Sequence, residues 1–230
     1  VAPRPVALVG EATLGSLELV LACFALGVPA VLLHPRSPPT ARVAFAAELG
    51  ARLLETSETG GAPLRGEASH EPRAPAARDP GAAELAAAAR SSPPNDDRAL
   101  VVIATSGSSG APKAVILSRR AIVASARASA AHLGWEPHDR WLLALPLAHV
   151  GGLSVLTRCL IARRTVVVPP SAEPAALAEV VTRERVTLLS LVPTQVARLL
   201  AVGFRPPPSV RAILVGGAPC PADVLARAAA

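Results

Sequence analysis

Short apolar runs of about four residues recur along this chain with helix-length segments between them, and this alternation restricts the fold more than any other feature. Runs at 6–9, 30–33 and 51–54 are separated by segments at 16–26 and 40–49 that predict helices. A buried strand that is followed by a helix before the next strand starts returns parallel to the first. The pattern therefore predicts a parallel α/β fold. It lapses across 55–98, where Pro, Gly, Ser, Glu and Arg accumulate around a short Ala-rich patch at 84–90, and this stretch is expected to be a connector. Beyond it, strands are expected at 100–104, 115–117, 141–145, 165–168, 188–191 and 212–215. Helices are expected at 120–133, 152–161, 174–183, 193–200 and 221–229, the last with Pro221 early in its first turn. The expected organisation is a first α/β lobe at 1–57, a connector at 58–98 and a second α/β lobe at 99–230.

With 51% hydrophobic and 17% charged residues, 230 residues suffice for one substantial core or two modest lobes sharing an interface. Aromatic residues are only 2%, so the core must be aliphatic, and a platform of rings for stacking bases is excluded. A net charge of +6 raises the question of nucleic acid. The arginines are scattered, however, with Arg119-Arg120 and Arg163-Arg164 as the only adjacent pairs, so no nucleic-acid partner is expected. Cys23, Cys159 and Cys220 are odd in number and far apart, which fits neither a disulfide framework nor a zinc site and points to the reduced cytoplasm. The apolar segment 14–33 is interrupted by Glu18 and broken at Gly27-Val28-Pro29, so it predicts a buried helix and strand, not a membrane span. No signal peptide is expected. The chain opens without Met and stops within structured-looking sequence, so it is expected to be part of a longer product.

Lys113 is the only lysine among 23 Lys and Arg residues, and it closes the run Thr105-Ser106-Gly107-Ser108-Ser109-Gly110-Ala111-Pro112-Lys113. An ammonium on a flexible stem is a compact charge with rotatable donors, suited to a shifting polyphosphate where a rigid guanidinium fork would misfit. A loop of Ser, Thr and Gly can turn several backbone N–H groups and hydroxyls inward as an anion-binding nest. This is not a Walker loop, because Pro112 precedes the lysine and Ala114 stands where Ser or Thr would meet magnesium.

Over these positions the chain resembles the acyl-adenylate-forming superfamily, whose phosphate loop reads Ser/Thr-Ser-Gly-Ser/Thr-Thr-Gly-x-Pro-Lys-Gly. Ser109 takes the usual Thr position and Ala114 replaces the closing Gly. The resemblance continues through Asp139-Arg140-Trp141-Leu142-Leu143-Ala144-Leu145-Pro146-Leu147-Ala148-His149-Val150-Gly151-Gly152-Leu153. In the family the corresponding histidine borders the acyl pocket, which implies that His149, with Gly151 and Gly152, contacts the acyl substrate. Gly216-Gly217-Ala218-Pro219 follows a strand as the family's adenine-binding turn does, where absent side chains let a purine approach the backbone. Within the superfamily, Leu145 to Leu153 and Leu156-Thr157-Arg158-Cys159-Leu160 most resemble the o-succinylbenzoate–CoA ligases of menaquinone biosynthesis. That substrate has a second carboxylate, which Arg158 could pair with.

The resemblance implies a cytoplasmic enzyme, an acid–thiol ligase that uses ATP and magnesium to adenylate a carboxylate and coenzyme A to open the anhydride. Lys113 and His149 are implied as catalytic, and Thr105, Ser106, Gly107, Ser108, Ser109, Gly110, Lys113, Gly216, Gly217, Ala218 and Pro219 as nucleotide-binding. It implies the large N-terminal domain of the superfamily, with stacked parallel-rich sheets and flanking helices. The Glu that helps to hold magnesium, the Asp that holds ribose and the small C-terminal domain are expected to lie outside this chain. Another acyl- or aryl-CoA synthetase, a peptide-synthetase adenylation domain, and a truncated non-catalytic nucleotide-binding lobe stay open as alternatives, as does assembly into a homo-oligomer.

Overall fold

Aliphatic four-residue runs form strands because both faces are buried, so no alternation with polar residues is needed. The computed structural model describes residues 3–54, 96–106 and 112–229. In the first part, β1 (Val6–Val9), β2 (Ala30–Leu33) and β3 (Arg52–Leu53) alternate with α1 (Leu14–Leu26) and α2 (Pro39–Glu48). β4 (Ala99–Ser106) and β5 (Pro112–Ser118) follow, then α3 (Arg119–Leu133), β6 (Arg140–Leu142), α4 (Val150–Ala162) and β7 (Thr165–Val167). The chain continues with α5 (Pro174–Arg183), β8 (Leu188–Leu191), α6 (Pro193–Ala201), β9 (Ala212–Val215) and α7 (Ala222–Ala229).

Local chemistry sets several boundaries. The Thr13 side chain accepts the N–H of Ser16 at the start of α1, and Gly27 ends it in the left-handed region at φ 65°. The Ser118 side chain likewise caps α3 by accepting the N–H of Ala121. Pro39, Pro174 and Pro193 occupy first turns, where a missing N–H leaves no bond unmade. Pro221 precedes α7 instead of lying within it. The strand expected at 141–145 is shorter, because the chain departs after Leu142 into the turn that carries Pro146.

The strands make two sheets, ordered β3-β1-β2-β4-β5 and β7-β6-β8-β9. Every neighbouring pair is parallel except β4 and β5. Their five-residue connection is far too short for a crossover, which needs a dozen or more residues, so they pair as an antiparallel hairpin. β2 hydrogen-bonds to β4, and the sheets separate after Ser118. Most of the expected connector lies outside the described residues.

Alternate strand residues feed different layers. Leu8, Leu32, Val101 and Ile103 of the first sheet share one core with Trp141, Leu143 and Leu188 of the second, and α1, α3 and α4 fill the space between them. Ala7, Val31, Leu33 and Val102 face Phe45 and Ala46 of α2 on the outer side. Leu142, Ala144, Leu189 and Leu191 face α5, α6 and α7. Helices thus cover both faces of each sheet, and the strand ends are the backbone left open to solvent. Among the described residues no helix is long and apolar enough to cross a membrane.

Candidate functional site

Parallel strands end together, so the residues just past β1, β2 and β4 gather at one rim of the first sheet, and those past β6, β8 and β9 at one rim of the second. The two rims meet at His149. β1 ends at Gly10, whose N–H donates to the Leu33 carbonyl at 2.9 Å and whose carbonyl accepts the N–H of Ala148 at 3.0 Å. A Cβ at Gly10 would lie 2.6 Å from the Ala148 nitrogen, so a side chain there would push the rims apart. The turn before α4 is closed by His149 N–H donating to the Pro146 carbonyl at 3.1 Å. Gly152 is buried under this turn, where a Cβ would collide with the carbonyl oxygens of Leu145 and Pro146. A Cβ on Gly151 would meet only the flexible end of Leu145, at 2.8 Å. The glycine pair expected to contact substrate thus has a packing duty, carried mainly by Gly152.

His149 is the N-cap residue of α4 and is exposed. Its Nε2 lies 2.9 Å from Nε2 of His34, the first residue past β2, and the rings meet edge to face. Partial desolvation at the rim pushes both imidazoles below the usual histidine range. For His149 the nearby Arg36 guanidinium adds to this, and for His34 so do His149 and Arg36.

The strands that flank the Ser/Gly-rich run lie beside this pair. β2 and β4 align Leu32 with Ile103, and extending that register sets His34 level with Thr105. Across the hairpin, Thr105 pairs with Lys113 and Ser106 with Pro112. The Thr105 hydroxyl donates to the Lys113 carbonyl at 3.4 Å, and both residues are exposed. Gly107, Ser108, Ser109, Gly110 and Ala111 lie outside the described residues. On the second sheet, Gly216 N–H donates to the Leu191 carbonyl at 3.1 Å, and Gly217 has φ 85°, a left-handed conformation suited to glycine. Gly216, Gly217, Ala218 and Pro219 are all exposed at the β9 rim.

Arg158 is not at the rim. It lies nine residues along α4 from His149, about 13 Å by helical rise. Its guanidinium sits 5.4 Å over the Trp141 ring, which itself meets Trp135 edge to face. Burial lowers its pKa from the ordinary arginine value. The stacking on Trp141 is a cation–π contact, and the guanidinium Nε is buried without a hydrogen-bond partner among the described residues. Two residues at the rim were not expected from the sequence, His34 and Gln195. The Gln195 amide donates to the Ala144 carbonyl at 2.8 Å and accepts the Val192 N–H at 3.1 Å, bracing β6 against the end of β8. His34 carried the same signal as His149, a polar residue directly after a buried parallel strand.

Two of the three thiols are buried. Burial and the Asp139 charge push the Cys159 thiol up to about 12, and burial raises that of Cys23. Among the described residues no group of three His, Cys, Asp or Glu gathers to hold a metal ion.

Comparisons with known proteins agree with this fold. The family model described as AMP-binding enzyme matches residues 2–230. The 2-succinylbenzoate–CoA ligase of Bacillus licheniformis is 40% identical over 114 residues, which is 50% of this chain and 24% of that protein. The structure of o-succinylbenzoate CoA synthetase from Bacillus subtilis in complex with the acyl-adenylate intermediate superposes with a TM-score of 0.76 at 29% identity, covering 98% of this chain and 46% of that one. The same synthetase in complex with ATP and magnesium ion gives a TM-score of 0.77 at 28% identity, covering 98% and 47%. The match thus spans about a quarter of that ligase, and the chain covers less than half of those solved structures.

Proposed function

This chain belongs to the family of AMP-binding enzymes, and on that premise we propose that it is the nucleotide- and acyl-binding part of an acid–thiol ligase acting on o-succinylbenzoate. The observation that carries the reading is the meeting of the rims. Thr105, at the root of the expected phosphate loop, stands on the strand next to His34 and pairs with Lys113 on the strand beyond, and His34 touches His149, the residue expected to border the acyl group. A triphosphate and a carboxylate must lie within bonding distance to react, and adjacent strand ends provide that proximity.

In the proposed reaction a carboxylate oxygen attacks the α-phosphorus of ATP. The bond to the bridging oxygen breaks and pyrophosphate leaves, giving an acyl-adenylate. The thiol of coenzyme A then adds to the acyl carbonyl carbon and AMP departs, leaving the thioester. No side chain forms a covalent intermediate, so positioning and charge stabilisation carry the first step. Lys113 supplies a full positive charge to the phosphates from the start of β5. The Gly216-Gly217 turn leaves exposed backbone against which a flat base can lie. Magnesium bound to the triphosphate would spread the charge that develops on its oxygens. ATP and coenzyme A as co-substrates fit the expected cytoplasmic location. The named specificities of the Bacillus proteins support o-succinylbenzoate as the acid.

The test is exchange of labelled pyrophosphate into ATP with o-succinylbenzoate, benzoate and a medium-chain fatty acid. Exchange with o-succinylbenzoate alone is expected. Faster exchange with either comparison acid would move the chain to another branch of the family. No exchange, with thermal stabilisation by an acyl-adenylate mimic, would mark a binding unit without turnover.

A further inference from the structure

The contact between His34 and His149 joins Nε2 to Nε2 at 2.9 Å, with ring planes at 68°. One proton occupies such a contact, because two N–H groups repel at this separation and two lone pairs do not bond. The other edge of His34 decides which ring supplies it. Its Nδ1 accepts the backbone N–H of Arg36 at 3.0 Å, so this nitrogen carries a lone pair and the neutral ring holds its proton on Nε2. That Nε2–H donates to His149, whose Nε2 is then the acceptor and whose own proton resides on Nδ1. We infer that His34 is a positioning residue that holds His149 as the Nδ1–H tautomer, leaving one ring donor for an acceptor oxygen of the acyl substrate.

The arrangement resists protonation at both rings. A proton added to His149 at Nε2 would face the N–H of His34, and one added to His34 at Nδ1 would face the N–H of Arg36. The partial desolvation of the pair and the charge of Arg36 act in the same direction. A neutral Nδ1–H suits an acyl group that bears a keto or second carboxylate oxygen and offers nothing to a plain hydrocarbon chain. The substrate part of this inference rests on the proposed function, whereas the tautomer does not.

Long-range proton–nitrogen correlation spectra of the nitrogen-15-labelled 230-residue chain at neutral pH test it directly. His149 is expected to show a pyridine-type Nε2 and a pyrrole-type Nδ1, and His34 a pyrrole-type Nε2. His34→Gln, whose amide keeps an N–H near the same place, should preserve the His149 pattern, and His34→Ala should release it to the Nε2–H form. A wild-type His149 carrying its proton on Nε2, or an unchanged Nδ1–H form in His34→Ala, overturns the inference. If His34→Ala does not fold, the wild-type and His34→Gln spectra decide the matter. In the binding arm, His34→Ala should weaken an o-succinylbenzoyl-adenylate mimic about tenfold, the scale of one hydrogen bond to a charged partner, with ATP affinity unchanged. The expected tautomer in a chain that binds no mimic would uphold the positioning and overturn the proposed function.

Discussion

Asp139 and Arg211, 72 residues apart, form a bidentate pair, with Arg211 Nε 2.9 Å from Oδ1 and Nη2 2.6 Å from Oδ2 of a fully buried carboxylate. Asp139 also accepts the Thr187 hydroxyl and the Glu136 N–H, both at 2.8 Å, and Arg211 donates to the carbonyls of Leu133 and Gly134. The cluster ties the end of α3 to the starts of β6, β8 and β9. It therefore sits at the opposite end of the second sheet from the candidate site. Burial alone would raise the Asp139 carboxyl, but bonds from Arg211, Glu136 and Thr187, with the Arg211 charge, hold it down at about 2.

This pair makes stability pH-dependent with a definite sign. An unfolded aspartate titrates near 4, so the folded-state preference for the ionised form is fully present above that pH and is lost as pH falls from about 4 to about 2. The contribution is about 2 kcal/mol. Asp139→Ala removes it and leaves Arg211 without its carboxylate, a loss of about 3–5 kcal/mol. Urea denaturation at several pH values should give the wild type a steeper fall below pH ~4 than the variant, and equal slopes would contradict the assignment.

Gly152→Ala should destabilise the fold by several kcal/mol, because its Cβ would overlap two carbonyl oxygens that cannot move without opening the His149 turn. Gly151→Ala should be far milder, since only the end of Leu145 must shift. Thermal melts of the two variants side by side check this ordering.

Lys113→Ala should leave the melting temperature nearly unchanged, since the residue is exposed on an edge strand. Under the proposed function it should slow ATP-dependent exchange by about 10²- to 10³-fold. Exchange at the wild-type rate would remove the phosphate role of this lysine.

Arg158→Met should alter stability through the lost stacking on Trp141, by about 1 kcal/mol, while leaving the relative exchange rates with the three acids as they are. A selective loss with o-succinylbenzoate would give Arg158 the substrate role expected from the sequence.

Cys220 should be the thiol that a disulfide reagent reaches in the native protein, because Cys23 and Cys159 are buried and their thiols are held protonated. Titration of native and denatured protein should give one and three equivalents.

Elements and chemistry were legible in the sequence because both depend on neighbours in the chain. The runs at 6–9, 30–33, 188–191 and 212–215 became strands with those bounds, since a four-residue aliphatic run between turn residues has few other ways to bury itself. The run from Thr105 to Lys113 and the turn at His149 were recognisable for the same reason, as local patterns of donors, glycines and one charge. Sheet membership was not legible. Whether β4 joins β2 or starts a second sheet depends on which edge is free when the chain returns, which no local signal encodes. Arg158 was grouped with His149 because they are close in sequence, and its stacking on Trp141, nine residues along α4 from His149, had no local signal. His34 and His149, 115 residues apart, were brought to 2.9 Å by the packing of two sheets around shared helices. The sequence alone determined which segments are strands and helices, because backbone hydrogen bonding and apolar burial act over a few residues. Only the tertiary structure decided which ends of those segments meet, because that depends on the packing of whole layers.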